Sequence, residues 1–242
     1  MTDPGRRAWV EHVMGMPISL HLRGPGIRDD PRAIAATAGV FEILRETDRL
    51  FSTYREDSQV SAIRRGELCE ADCDPLVRQV IALCREAAER TDGWFDAWLP
   101  GGFDPSGLVK GWAVERAAAT LTVLGDVDHC LNAGGDIALY VASPARPAWR
   151  VGIEDPRDRS TLLGVRLLRT GAVATSGTAA RGAHIIDPHR GVAASELLAV
   201  TVSGPSLLWA DVYATAAFAH GAGAEAWLRR RAPDYEVTVV GA

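Results

Sequence analysis

Apolar residues fall on every second position over residues 14–22 (Met14, Met16, Ile18, Leu20, Leu22), the alternation of a half-buried strand. After the turn-forming GPGIRDDP, residues 33–50 repeat apolar positions at helical spacing instead. Asp74-Pro75 predicts the start of a second helix running through Ala88, with Asp74 as cap and Pro75 at the first helical position. The stretch TDGWFDAWLPGGFDPSGLVKGWAVERA begins as a glycine-rich loop and turns into a helix ending near Gly125. Over residues 128–202 short β-type runs recur (ALYV, WRVGI, GVRLL, AVATS, HIIDP, LAVTV), split by Gly, Pro and Asp, the pattern of a mostly antiparallel sheet. Helices over 206–220 and 224–231 and a strand in YEVTVV close the chain. No long repeat or low-complexity linker interrupts this order, so the expectation is one α+β domain over residues 1–242, a mostly antiparallel sheet with flanking helices.

Composition narrows the picture without naming a chemistry. With 47% hydrophobic and 24% charged residues the chain has the material for a sizeable core. Its net charge of -5 comes from interspersed acids and bases, which leaves no broad basic face for nucleic acid. The N-terminal stretch has two arginines but no long apolar run and no small-residue cleavage site, so neither export nor a membrane span is expected. Cys69, Cys73, Cys84 and Cys130 lack the paired CxxC spacing of a zinc site and read as reduced cysteines of a cytoplasmic protein.

Candidate chemistry starts with SLLWADVYATAAFAH. That helix is apolar on every side except at Asp211, Thr215 and the phenol of Tyr213, so it should be buried, and a carboxylate with it. An unpaired buried charge costs several kcal/mol in order of magnitude, so Asp211 requires a cation, a metal or strong donors. Thr215 lies one turn along on the same face, and two hard oxygens at that spacing suit Mg²⁺. An arginine partner for Asp211, with Thr215 bonding back to its own helix, explains the pattern equally well. In FDPSGLVKG, Asp104 and Ser106 precede a helix whose first turn holds Gly107 and Lys110; this suits either an anion site or an ordinary capped helix start. Gly134 and Gly135 in LNAGGDIALYV mark a tight hairpin or a close approach to the backbone. Thr175, Ser176 and Gly177 follow a strand, and His184, at the start of another, is either a proton acceptor or a structural residue.

Taken in order, VMGMPIS, FSTYREDS, WFDAW, FDPSGLVKGWAVERA, LNAGGD, ATSG, HIIDPHRG and WADVYAT resemble the motif series of the ApbE family of FAD:protein FMN transferases. In that family the corresponding motifs are MGT, FSTYRPDS, FD, a D-x-x-G-x-x-KG helix start, NxGGD, TSG, HxIDPxTG and ADxxxT. The resemblance implies an ApbE-like (T-fold-like) architecture. It further implies that Asp211, Thr215 and the Gly107 carbonyl hold Mg²⁺, which grips the FAD pyrophosphate. Met14, Tyr54, Trp94, Phe95, Asp96, Asp104, Lys110 and Ile186 would line the FAD site, with His184 as base. The implied reaction moves the FMN half of FAD to a Thr or Ser hydroxyl in the flavinylation motif of an acceptor flavoprotein, releasing AMP. With water as nucleophile the same site would be an FAD pyrophosphatase giving FMN and AMP, and without turnover a flavin-binding protein.

The chain departs from the family pattern at three places. Only seven residues separate Asp96 from Asp104, where many relatives carry a long insertion, which implies a more open flavin pocket. Met16 replaces the usual threonine, and Thr178-Ala179-Ala180-Arg181 follows TSG in place of acidic and aromatic residues. Many relatives are exported lipoproteins; here neither a signal nor a lipid-anchoring cysteine is recognised, so the resemblance implies a cytoplasmic enzyme without a membrane anchor.

Overall fold

The computed structural model describes residues 5–99, 101–178, 182 and 185–242. The chain opens on a hairpin of β1 (Arg6–Val13) and β2 (Met16–Arg23), in register from Arg6↔Arg23 to Val13↔Met16. The alternation over residues 14–22 therefore holds two things. Met14 and Gly15 are the turn, with φ of 56° and 73°, and the strand starts at Met16. Two positive φ values are what a two-residue hairpin turn favours, and glycine meets that demand more easily than methionine.

Helices α1 (Pro31–Phe51), α2 (Gln59–Arg64) and α3 (Pro75–Arg90) follow. Asp30 and Asp74 cap α1 and α3 by accepting the N–H of Arg32 and Leu76, with a proline opening each helix. The two-residue strands β3 (Trp98–Leu99) and β4 (Gly102–Phe103) then lead into α4 (Ser106–Ala119). Strands β5 (Asp128–Ala133) and β6 (Asp136–Tyr140) form a second hairpin, β7 (Trp149–Asp155) and β8 (Asp158–Leu168) a third, and β9 (Thr170–Gly177) returns to the sheet. Thr175, Ser176 and Gly177 thus belong to β9 itself rather than to the loop after it. Among the described residues the HIIDP run contributes Ile186–Asp187, strand β10, paired with β11 (Val192–Ala193). Strand β12 (Leu197–Gly204), α5 (Leu207–His220), α6 (Ala224–Arg231) and β13 (Glu236–Gly241) complete the chain.

Seven strands form one sheet in the order β1-β2-β5-β6-β9-β12-β13, with every neighbouring pair antiparallel. The expected mostly antiparallel sheet with flanking helices is the architecture found. The two faces of the sheet are covered differently because side chains alternate along a strand. Ala138, Ala172 and Ala174 join the main core, on the side where α4 and α5 pack. Leu139 and Val173, one residue on, form a second cluster with Val151 of the β7–β8 ribbon. Small residues on the first face let a helix lie close, and α5 answers with Ala210, Ala214, Ala216 and Ala217, all fully buried. The expectation that α5 is buried on all sides holds, and Asp211 is only 2% exposed. No helix among the described residues is long and apolar enough to cross a membrane.

Candidate active site

The site is built where α4 crosses α5. At Gly111 of α4 a Cβ atom would lie 2.7 Å from the Leu207 carbonyl oxygen and 2.8 Å from Asp211 Cβ, closer than side-chain carbons approach. Glycine therefore sets the distance between the two helices. At that crossing the Gly111 N–H donates to Asp211 Oδ2 at 3.0 Å. The crossing is held further along by Glu115, whose Oε2 accepts both the Ser206 hydroxyl and the Leu208 N–H at 2.8 Å, so that α4 helps to cap α5.

One turn nearer the start of α4, Gly107 faces Thr215 and the Phe95 ring, where an added Cβ would stand 3.5 Å from Thr215 Oγ1 and 3.2 Å from the ring. Thr215 Oγ1 in turn lies 3.1 Å from Ser176 Oγ at the end of β9. Phe95 is positioned by Thr91, a buried hydroxyl that donates to the Ala87 carbonyl and accepts the Phe95 N–H at 3.0 Å. Between them Asp92 and Gly93 take positive φ, which turns Trp94 back against His189, ring centroids 4.3 Å apart. Asp96 Oδ1 and Asp104 Oδ1 accept the N–H groups of Trp98 and Ser106, fixing the short β3–β4 connection and the start of α4.

The electrostatic centre is Lys110. Its ammonium stands 2.5 Å from Asp136 Oδ2 and 3.8 Å from Asp211 Oδ1. A lysine and a backbone N–H thus answer the demand that a buried Asp211 makes. Among the described residues there is no cluster of three or more His, Cys, Asp or Glu side chains that could hold a metal. A cation here would draw on Asp211 together with hydroxyl and backbone oxygens. Burial pushes the Cys84 thiol far up and the Cys130 thiol up to about 12, so neither of these two supplies a thiolate nucleophile.

Two adjoining cavities meet at this point. The first, about 350 Å³, is lined by Trp94, Phe95, Asp96, Asp104, Gly107, Lys110, Ile186, Asp211 and Thr215. The second, about 820 Å³, is lined by Met14, Tyr54, Phe51 and Thr53, and it shares Gly15, Met16, Asp104, Ser106 and Lys110 with the first. The expected site residues therefore divide: Met14 and Tyr54 line the second cavity, and the other described ones the first. Tyr54 is 92% exposed, with its ring open to solvent at that rim. His184 lies outside the described residues. Asp136 escaped the sequence reading, and Ser176 was marked there without a role. Asp136 carried a usable signal, an acid directly after two glycines and at the head of an apolar strand, which marks a buried carboxylate by the reasoning that singled out Asp211.

Known proteins share both the sequence and the shape. Residues 14–100 and 98–239 match the ApbE family. An FAD:protein FMN transferase of Rhodobacter capsulatus is 34% identical over 134 residues, covering 52% of this chain and 25% of that protein. Another, from Vibrio cholerae serotype O1, is 32% identical over 122 residues, covering 46% and 36%. The matches thus span only about a quarter to a third of those relatives' own length. The ApbE protein of Thermotoga maritima superposes with a TM-score of 0.84 at 20% identity, covering 98% of this chain and 94% of that one. The flavin transferase ApbE of Vibrio cholerae gives 0.80 at 22% identity, covering 97% and 93%.

Proposed function

The chain belongs to the ApbE family, and from that premise we propose that it transfers the FMN half of FAD to a Thr or Ser hydroxyl of an acceptor flavoprotein, using Mg²⁺ and releasing AMP. One observation carries this reading. The cationic and oxygen-rich groups stand at the joint of two adjoining cavities, at Lys110, Asp104 and Ser106, with aromatic rings available on either side at Trp94, Phe95 and Tyr54. A dinucleotide has the matching form, an anionic linker between two flat ends.

The donor set suits Mg²⁺, a hard cation that takes oxygens in an octahedron and is commonly held by one or two carboxylates plus substrate phosphates. Asp211 supplies the carboxylate, Thr215 a hydroxyl one turn on, and Gly107 a backbone carbonyl beside it. In a regular helix the Gly107 carbonyl accepts from the Gly111 N–H. Here that N–H also serves Asp211 at 3.0 Å, which loosens the claim on the carbonyl. When bound, the metal supplies charge neutralisation at the pyrophosphate.

The chain's own residues do the rest. Lys110 brings a second positive charge to the linker, and Trp94, Phe95 and Tyr54 hold the flat ends. The acceptor oxygen bonds to the phosphorus on the riboflavin side while the bond to the bridging oxygen breaks, and AMP departs with that oxygen. The hydroxyl proton passes to a base, for which we propose His184. Residues 1–242 act as one transferase domain in this reading.

The test is incubation with FAD, Mg²⁺ and candidate acceptor flavoproteins, followed by in-gel flavin fluorescence and assay of AMP. A fluorescent acceptor band with matching AMP is expected. FMN and AMP without a labelled protein would make the chain a pyrophosphatase, and bound FAD that stays intact would make it a flavin binder.

A further inference from the structure

Asp136 heads β6 directly after Gly134 and Gly135, whose φ values of 62° and 104° turn the chain back on itself. Its side chain is sealed from solvent at 1% exposure. One carboxylate oxygen accepts the Thr175 N–H of β9 at 3.1 Å, and the other meets the Lys110 ammonium at 2.5 Å. Lysine carries its charge on a flexible four-carbon stem with three rotatable donors, so its aim is set by what holds it. A carboxylate tied to the sheet by a backbone N–H is a rigid holder, and a buried carboxylate is costly without its cation. Asp211, 3.8 Å from the same ammonium, competes for it from the α5 side.

We propose that Asp136 is a positioning residue that aims the Lys110 ammonium at the joint of the two cavities, away from Asp211, so that it meets the anionic linker of the ligand. The inference rests on the dinucleotide reading of that joint. Asp136 touches no ligand in this role. Without its charge, Lys110 closes onto Asp211, where it withdraws from the linker and occupies the carboxylate that a divalent cation would use.

The experiment compares FAD with riboflavin, which has the flat ring system and no phosphate, on Asp136→Asn, Lys110→Met and the double variant at constant Mg²⁺. Asparagine keeps the shape and can still accept the Thr175 N–H. Asp136→Asn is expected to weaken FAD about tenfold, the scale of one charge-assisted hydrogen bond, and to leave riboflavin unchanged. In the Lys110→Met background it should add no further loss. Equal weakening of riboflavin, or the same loss with Lys110 already removed, would overturn the positioning role and leave a merely structural one.

Melting temperature decides independently of any ligand, and also if Asp136→Asn alone fails to fold. Lys110→Met strands the Asp136 charge, so the double variant must melt above it; a double variant melting no higher would show that Asp136 does not depend on Lys110. A wild type that binds no FAD would sink the dinucleotide reading, and the melting comparison would still judge the pair.

Discussion

Gly111→Ala tests the helix crossing on which the site depends, because two effects of opposite sign meet at one position. Alanine is the better helix former by about 1 kcal/mol, so on propensity alone the substitution stabilises α4. Against that, the new Cβ would stand 2.7 Å from the Leu207 carbonyl oxygen and 2.8 Å from Asp211 Cβ. Neither atom can rotate away, since one is backbone and the other is fixed to it, so the helices must separate. Overpacking of this kind costs ~1–3 kcal/mol, here toward the upper end. Separation also stretches the Gly111 N–H bond to the buried carboxylate, for a further ~1.5 kcal/mol. The net expectation is a loss of about 3–3.5 kcal/mol, a fall in Tm of roughly 6–14 °C for a chain of this size. Thermal melting and urea denaturation measure it, and flavin transfer against Mg²⁺ concentration should show a raised requirement as Asp211 shifts. A variant that melts at or above the wild-type temperature would mean that propensity wins and that α4 and α5 do not cross this closely.

The remaining expectations concern single side chains. Asp211→Asn should keep its fold, because Lys110 retains Asp136 at 2.5 Å and is not stranded, while Mg²⁺-dependent transfer collapses; normal transfer at normal Mg²⁺ would remove Asp211 from the metal site. His184→Ala should retain FAD affinity in a fluorescence titration and lose ~10²–10⁴ in transfer rate, and an unchanged rate would exclude it as the base. Burial lowers the His129 imidazole from 6.5 to about 4, so the folded protein holds this ring neutral while the unfolded chain protonates it. The stability it contributes is present above pH 6.5 and lost as pH falls toward 4, on the order of 3 kcal/mol. Urea denaturation between pH 7 and 4.5 should therefore be less pH-dependent in His129→Phe than in wild type, and parallel curves would refute the assignment.

Much of the architecture was legible locally. Asp74-Pro75 and the apolar spacing of residues 33–50 mark their helices because capping and periodicity are properties of contiguous chain. The all-round apolar character of α5 announced a buried carboxylate, because a charge there has no solvated face to occupy. The ordered motif series carries the family resemblance in the sequence itself, and the family match covers the same stretch. Strand β1 was missed for a physical reason: it is an edge strand, fully buried only at Val13, so selection for burial leaves little alternation to read. The six-residue α2 is too short for a helical period to register.

Tertiary structure alone decided which of the marked residues meet. Nothing along the chain relates Asp211 to Gly111, one hundred residues earlier, or shows that Lys110 stands between Asp136 and Asp211. Local sequence encodes which face of an element avoids water, and it says little about which other face covers it. The partners follow from sheet order and from the close helix crossing that Gly111 permits, and those are long-range packing solutions. Asp211 could be read from the sequence as a charge in need of a cation, but only the fold supplied the lysine.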